Sequence, residues 1–226
     1  MPPLPHLRVL LVPVKPLALA KQRLAPLLTA EERQRLAHRL LEQTLRRWKE
    51  LPASATQGTQ LAVLTRCPLA TQVAHSMGVP VVQEADPLLT PGPAQHQPLN
   101  MALQQALSQP LLQQATGMLV LPTDLPQLHP QELATLLEAT QNHPVVVAPC
   151  HMGTGTNALY QQPPGLFGPQ FGPQSFALHW ALAQQRLPTG QAPYRLTGLP
   201  GLAHDLDTPE DWEALPPLLR QQLLAP

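Results

Sequence analysis

The sequence predicts one α/β domain across residues 1–226, with a mostly parallel sheet sandwiched by helices. Three observations carry this. Short runs are almost wholly apolar, LRVLLVPV at 7–14, GMLVL at 117–121 and VVVA at 145–148, as strands buried on both faces of a parallel sheet must be. Segments of helical periodicity separate these runs, and strands alternating with helices give this architecture. The length, 226 residues, suits one sizeable domain and is short for two.

In chain order, 7–14 is the first strand, followed by the polar stretch KPLALAKQRLAPLL at 15–28. Thr29 opens a helix, and Glu32 three residues later completes a capping box. Ala37, Leu40, Leu41, Thr44, Leu45 and Trp48 then recur at helical spacing, a stripe facing the sheet. A strand is expected at 60–65, a helix at 69–77 and a third strand at 79–82. Residues 84–97, rich in Pro and Gly, read as a long loop, after which a helix occupies 99–108. The strand at 117–121 runs into PTDLP. Pro130 sits where a first helical residue belongs, giving a helix to 141 and then a strand at 145–148. The stretch CHMGTGTNALYQQPPGLFGPQFGPQSF at 150–176 reads as two small-residue clusters. A helix at 175–186 and a short strand at 194–197 follow. Asp207 or Thr208 caps a helix begun by Pro209, and a short helix closes the chain.

Composition narrows the function classes. Charged residues make up 12% of the chain against a typical ~25%, and the formal net charge is zero. No basic stripe is present, which argues against nucleic acid as a partner but leaves room for a small anion. Cys67 and Cys150 have neither metal-site nor disulfide-framework spacing, so a reduced, cytoplasmic setting is expected. The apolar run after Arg8 is only about seven residues and Lys15 interrupts it, which fits a buried strand better than a signal peptide. No run approaches the ~18 apolar residues that span a bilayer. The histidines form no HxxxH pair, a GxGxxG fingerprint is absent, and Trp48, Trp180 and Trp212 read as core or interface anchors. A homodimer suits the low surface charge.

Open α/β sheets bind ligands beyond the carboxyl ends of their strands. Those positions hold Lys15, Arg66, Asp124 and the GTGT loop, with Asp205 and Asp207 late in the chain in HDLDTPED. Repeated Gly beside Thr and Ser lets backbone approach a ligand closely, and successive N–H groups form a concave anion site. Cations neutralise a triphosphate tail, while carboxylates hold Mg²⁺, which takes one or two of them plus substrate phosphates. Taken singly, Asp124 could merely cap the next helix, Asp207 could be only an N-cap, and Lys21 and Arg23 a solvated face. Their joint placement points to a nucleotide triphosphate site.

The motifs VPVKPLALAKQRLAPLLTAEER, LTRCP, VLPTDLP, APCHMGTGTNAL, PPGLFGPQFGPQSFALH and GLAHDLDTPEDW run almost end to end. In this order the chain resembles the guanylyltransferases of coenzyme F-420 biosynthesis, which act on 2-phospho-L-lactate or phosphoenolpyruvate. The resemblance implies a nucleotidyltransferase-type, Rossmann-like fold and transfer of GMP from GTP to a small phosphorylated acid with loss of pyrophosphate. It further implies that Lys15, Lys21 and Arg23 serve the triphosphate, with Asp124 and the Asp205/Asp207 pair as magnesium ligands. By the same resemblance, Thr156, Gly172 and Ser175 hold the phosphate and carboxylate of the acceptor. Two positions depart from the family pattern: Cys150 stands where an Asp is common, and Pro98 where a Gly is common. The alternatives are a homologue that binds nucleotide or phospho-acid without turnover, a guanylyltransferase for 3-phosphoglycerate, or a nucleotidyltransferase using CTP or a sugar phosphate.

Overall fold

A computed structural model describes residues 7–85 and 98–225. Most of the loop expected at 84–97 lies outside these residues. The strands are β1 (Arg8–Pro13), β2 (Thr59–Thr65), β3 (Val81–Gln83), β4 (Gly117–Val120), β5 (Val145–Pro149), β6 (Thr156–Gln161) and β7 (Tyr194–Arg195). They form one sheet in the order β3-β2-β1-β4-β6-β5-β7. All neighbouring pairs are parallel except those of β6, which runs antiparallel to β4 and β5.

The helices are α1 (Ala30–Lys49), α2 (Ala53–Thr56), α3 (Pro68–Ser76), α4 (Pro98–Ala106), α5 (Pro110–Gln113), α6 (Pro130–Asn142), α7 (Ser175–Arg186), α8 (Pro200–Ala203), α9 (Pro209–Ala214) and α10 (Pro217–Leu224). Thr29 caps α1 as its sequence requires: its hydroxyl accepts from Glu32 N–H, and the Glu32 carboxylate accepts from Thr29 N–H. Thr208 rather than Asp207 caps α9, paired with Asp211, which leaves the Asp207 side chain for other work. No helix among the described residues is long and apolar enough to cross a membrane.

Side-chain alternation along the strands builds a core on each face of the sheet. Leu10, Val12, Leu61, Val63, Leu119 and Tyr160 face α1, α3 and α6, and Trp48 packs against this side. Val9, Leu11, Ala62, Leu64, Val120 and Leu159 face α4 and α7, where Trp180 is half-buried. A third cluster joins Leu24, Leu36 and Leu40 to Leu206, Trp212 and Leu223. It binds the C-terminal segment to the outer side of α1.

The sequence did not predict β6. All six of its residues are buried, yet Thr156, Asn157 and Gln161 are polar, so neither an apolar run nor alternation marks it. Each polar side chain is satisfied internally, as burial demands. Gln161 accepts from the Phe167 N–H, and the partners of Thr156 and Asn157 lie in the cleft described below. Being antiparallel, β6 begins where its neighbours end, so its first residues join the carboxyl edge of the sheet.

Glu132 fixes another part of that edge. One of its oxygens accepts from Gly201 N–H at 2.8 Å and the other from His129 N–H at 2.9 Å, docking α8 on α6. A Cβ at position 201 would collide with the Gln127 carbonyl and the Glu132 carboxylate. Gly201→Ala is therefore expected to cost about 1–3 kcal/mol, the usual range for overpacking. Calorimetry should show a Tm several degrees lower, and an unchanged Tm would mean that the α8 contact yields freely.

Candidate active site

Two connected clefts open at the carboxyl ends of β1–β4, one of about 390 Å³ and one of about 580 Å³. Lys15, Asp124 and Asp207 belong to both. Arg23, Thr156, Gly172, Ser175 and Asp205 line the second, and Lys21 the first. The residues expected from the sequence thus gather around one continuous space.

The acidic groups meet because of Leu206. In an extended segment alternate side chains share a face, so Asp205 and Asp207 turn toward the cleft while Leu206, fully buried, anchors in the third core cluster. Leu206 N–H donates to the Asp124 carbonyl at 2.8 Å. Its own carbonyl accepts from Lys21 Nζ at 2.5 Å. The same ammonium donates to Asp124 Oδ2 at 3.4 Å and to Asp207 Oδ1 at 3.2 Å.

Lys21, expected to serve a triphosphate, lines the first cleft with its ammonium turned to groups of the fold. An ammonium has three N–H donors, and three acceptors of the fold take them. Burial works against its charge, but the carboxylates of Asp124 and Asp207 outweigh burial and hold it above the ordinary lysine range. Lys21 is the buried counter-ion of the acidic cluster. Arg23, largely exposed, stands 3.9 Å from Asp207, and Lys15 is exposed at the cleft wall. Among the described residues that line the two clefts, Lys15 and Arg23 are the exposed cations.

Among the described residues, no three His, Cys, Asp or Glu side chains form a ready-made metal cage, so the three aspartates do not amount to one. The chemistry still fits a hard cation. Asp124 Oδ1 is buried without a hydrogen-bond partner, an unusual cost for a carboxylate oxygen. Burial and the neighbouring charge of Asp124 push the Asp205 carboxyl up, while a hydrogen bond from Asn157 partly opposes this. A cation beside these two groups would relieve both, and Mg²⁺ needs only one or two protein carboxylates when phosphates complete its shell.

The two small-residue clusters are neighbours in space. Phe176 N–H, in the first turn of α7, donates to the Thr154 carbonyl at 3.1 Å. Cys150 shapes the loop between β5 and β6: its Sγ accepts from Gly155 N–H at 3.1 Å, and its N–H donates to the Gly155 carbonyl at 3.0 Å. The thiol therefore closes this turn without a carboxylate. Pro98, the other departure, is the first residue of α4, where a missing N–H costs nothing.

Two contributors escaped the sequence reading. Asn157 donates through Nδ2 to Asp205 Oδ1 at 3.2 Å and to the carbonyls of Leu202 and Ala203 at 3.0 Å, which orients the acidic segment. His179 is fully buried. Its Nε2 accepts from Gln170 N–H at 2.9 Å, so the ring proton sits on Nδ1, 3.0 Å from Thr156 Oγ1. The Thr156 hydroxyl accepts that proton's hydrogen bond and keeps its own hydrogen to donate elsewhere. A lone histidine gave no signal for this, since its partners lie 9 and 23 residues away.

The fold defines a class. The structure superposes on a nucleotide-diphospho-sugar transferase of Desulfovibrio desulfuricans G20 with a TM-score of 0.60 at 13% identity, covering 89% of this chain and 82% of that one. It also matches glucosyl-3-phosphoglycerate synthase of Mycobacterium tuberculosis, solved with Mn²⁺, uridine diphosphate and glucosyl-3-phosphoglycerate, at TM-score 0.50 and 13% identity over 85% of this chain and 70% of that one. The architecture is of the nucleotidyltransferase type. Residues 8–190 match the family described as "Guanylyl transferase CofC like", and the chain belongs to that family. A phosphoenolpyruvate guanylyltransferase of Sphaerobacter thermophilus is 33% identical over 92% of this chain and 91% of its own. One from Rubrobacter xylanophilus is 40% identical over 50% of this chain and 54% of its own.

Burial lowers the pKa of His179 to about 4, whereas an unfolded histidine titrates near 6.5. Between these values the unfolded chain binds more protons, so stability is full above about pH 6.5 and falls as the pH drops toward 4. The loss due to this group is on the order of 3 kcal/mol. Chemical denaturation across this range should show a weaker pH dependence in His179→Gln than in the parent, and equal slopes would place the sensitivity elsewhere.

Proposed function

We propose that the chain acts as a single guanylyltransferase domain, joining GMP from GTP to a small phosphorylated carboxylic acid with release of pyrophosphate. Phosphoenolpyruvate is the first choice of acceptor, 2-phospho-L-lactate the next, and the step belongs to coenzyme F-420 biosynthesis. One observation carries the reading: an acidic wall held by Lys21 and a small-residue wall closed by Thr154 and Phe176 border one cleft. Family membership and the relatives named as phosphoenolpyruvate guanylyltransferases support it.

In this reading an acceptor phosphate oxygen attacks the α-phosphorus of GTP, and the bond to the leaving pyrophosphate breaks. A phosphomonoester has a second pKa near ~6, so the nucleophile is already an anion at pH 7. No protein base is required. The work lies in overcoming repulsion between anions and in positioning. Thr156, Gly172 and Ser175 hold the acceptor, with the Thr156 hydroxyl kept as a donor by His179. Lys15 and Arg23 receive the triphosphate, and Lys21 keeps Asp124 and Asp207 in place. Mg²⁺, bound through Asp124 and the Asp205/Asp207 pair, would supply charge neutralisation at the phosphates.

Pyrophosphate release should require GTP, the acceptor and a divalent cation together. Asp124→Asn should lower kcat by about 100-fold or more, in line with the loss of a principal electrostatic group, while its melting curve stays cooperative. Near-normal turnover in this variant would remove Asp124 from the metal site, and GTP binding without any turnover in the parent would make the chain a binding homologue. Ser175→Ala should raise KM for the acceptor more than KM for GTP. The reverse order would exchange the two substrate positions.

A further inference from the structure

The smaller cleft extends away from the aspartates, along the ends of β1, β2 and β3, to Glu84. Glu84 immediately follows β3, and its N–H donates to the Thr65 carbonyl at 3.1 Å, which continues the ladder between β2 and β3 and fixes where the side chain starts. In the strand order, β3 lies three places from β4. At the usual interstrand spacing this is about 14 Å, a separation matched to a nucleotide whose phosphates lie at Asp124. Between the two ends the walls are apolar, with Leu17, Leu64, Leu99 and Ala102 among them, surfaces suited to the faces of a base.

The Glu84 side chain is only 13% exposed, and its Oε1 lies 3.9 Å from Arg66 Nε. Burial pushes the carboxyl up, and the Arg66 charge partly opposes this. An ionised carboxylate is an acceptor-only group, and Arg66 favours that form through its charge and its backbone N–H. Guanine presents two adjacent donors, N1–H and the N2 amino group, which pair with the two oxygens of one carboxylate. Adenine presents an acceptor beside a donor on the corresponding edge, and a carboxylate repels the former.

We propose that Glu84 reads the guanine edge and selects GTP over other nucleoside triphosphates, an inference that rests on the guanylyl-transfer reading above. Arg66 acts through Glu84, keeping its carboxylate ionised and aimed along the cleft. Loss of a good bidentate base contact is worth about 10- to 100-fold in discrimination.

The test exploits a change of hydrogen-bond pattern. Xanthine keeps N1–H but has an oxygen in place of the amino group, and an amide side chain, one acceptor and one donor, complements it. Pyrophosphate release is measured with GTP, inosine triphosphate and xanthosine triphosphate for the parent and for Glu84→Gln. The parent should prefer GTP, use inosine triphosphate less well and reject xanthosine triphosphate. Glu84→Gln should lose about 10- to 100-fold in kcat/KM for GTP and gain xanthosine triphosphate as its better substrate. That gain also proves the variant folded, and a merely structural Glu84 would depress every nucleotide alike. An unchanged preference, or a uniform loss, in an otherwise active protein overturns the assignment of Glu84 alone. A parent protein that releases no pyrophosphate from GTP overturns the proposed function, and this inference with it.

Discussion

The site depends on one buried ammonium. Lys21 Nζ gathers the Leu206 carbonyl, Asp124 and Asp207, joining three segments that are far apart in the chain. Without a cation there, the carboxylates of Asp124 and Asp207 would lie side by side with no positive group between them. Removing one partner of a buried pair is also far costlier than the pair's net worth. Lys21 therefore lets the acidic wall exist before any ligand arrives.

Much of this was legible in the sequence, for reasons that differ by residue. β1 and β4 announced themselves because both their faces are buried and no polar side chain interrupts them. Helix α1 was readable because its cap and its stripe are local. Asp124, Asp205 and Asp207 were readable as positions because strand ends and helix starts are fixed by the same local rules. What no local rule encodes is pairing across distance. The Lys21 side chain looked like one more cation for a phosphate, and only the fold shows its donors taken. β6 was hidden because its polar residues are buried and satisfied by groups from other segments. His179 and Asn157 escaped for the same reason.

The Gly- and Thr-rich stretch is a turn that leads into the hidden strand at Thr156. Because β6 is antiparallel, it brings Thr156 and Asn157 to the edge where the parallel strands end. Its first side chain then meets α7 through His179, and its second meets the acidic segment through Asp205. One short strand thus links the small-residue wall to the acidic wall, and the glycines before it let the Cys150 turn close tightly enough to start it there.

The charges leave a remainder, and the remainder has a direction. Lys21 is shared between Asp124 and Asp207, and its ammonium makes no hydrogen bond to Asp205. Asp205 is held by the Asn157 amide instead, a neutral partner that orients it without balancing it. Beside it lies Asp124 Oδ1, buried and without a partner. The negative charge that Lys21 does not touch is therefore concentrated at residues 124 and 205, both of which line the cleft shared with the small-residue clusters. Under the proposed guanylyl transfer, a cation drawn to that point would serve where two anions must be brought together. The buried lysine, by satisfying one side of the cluster, leaves the other side as the place where added positive charge gains most.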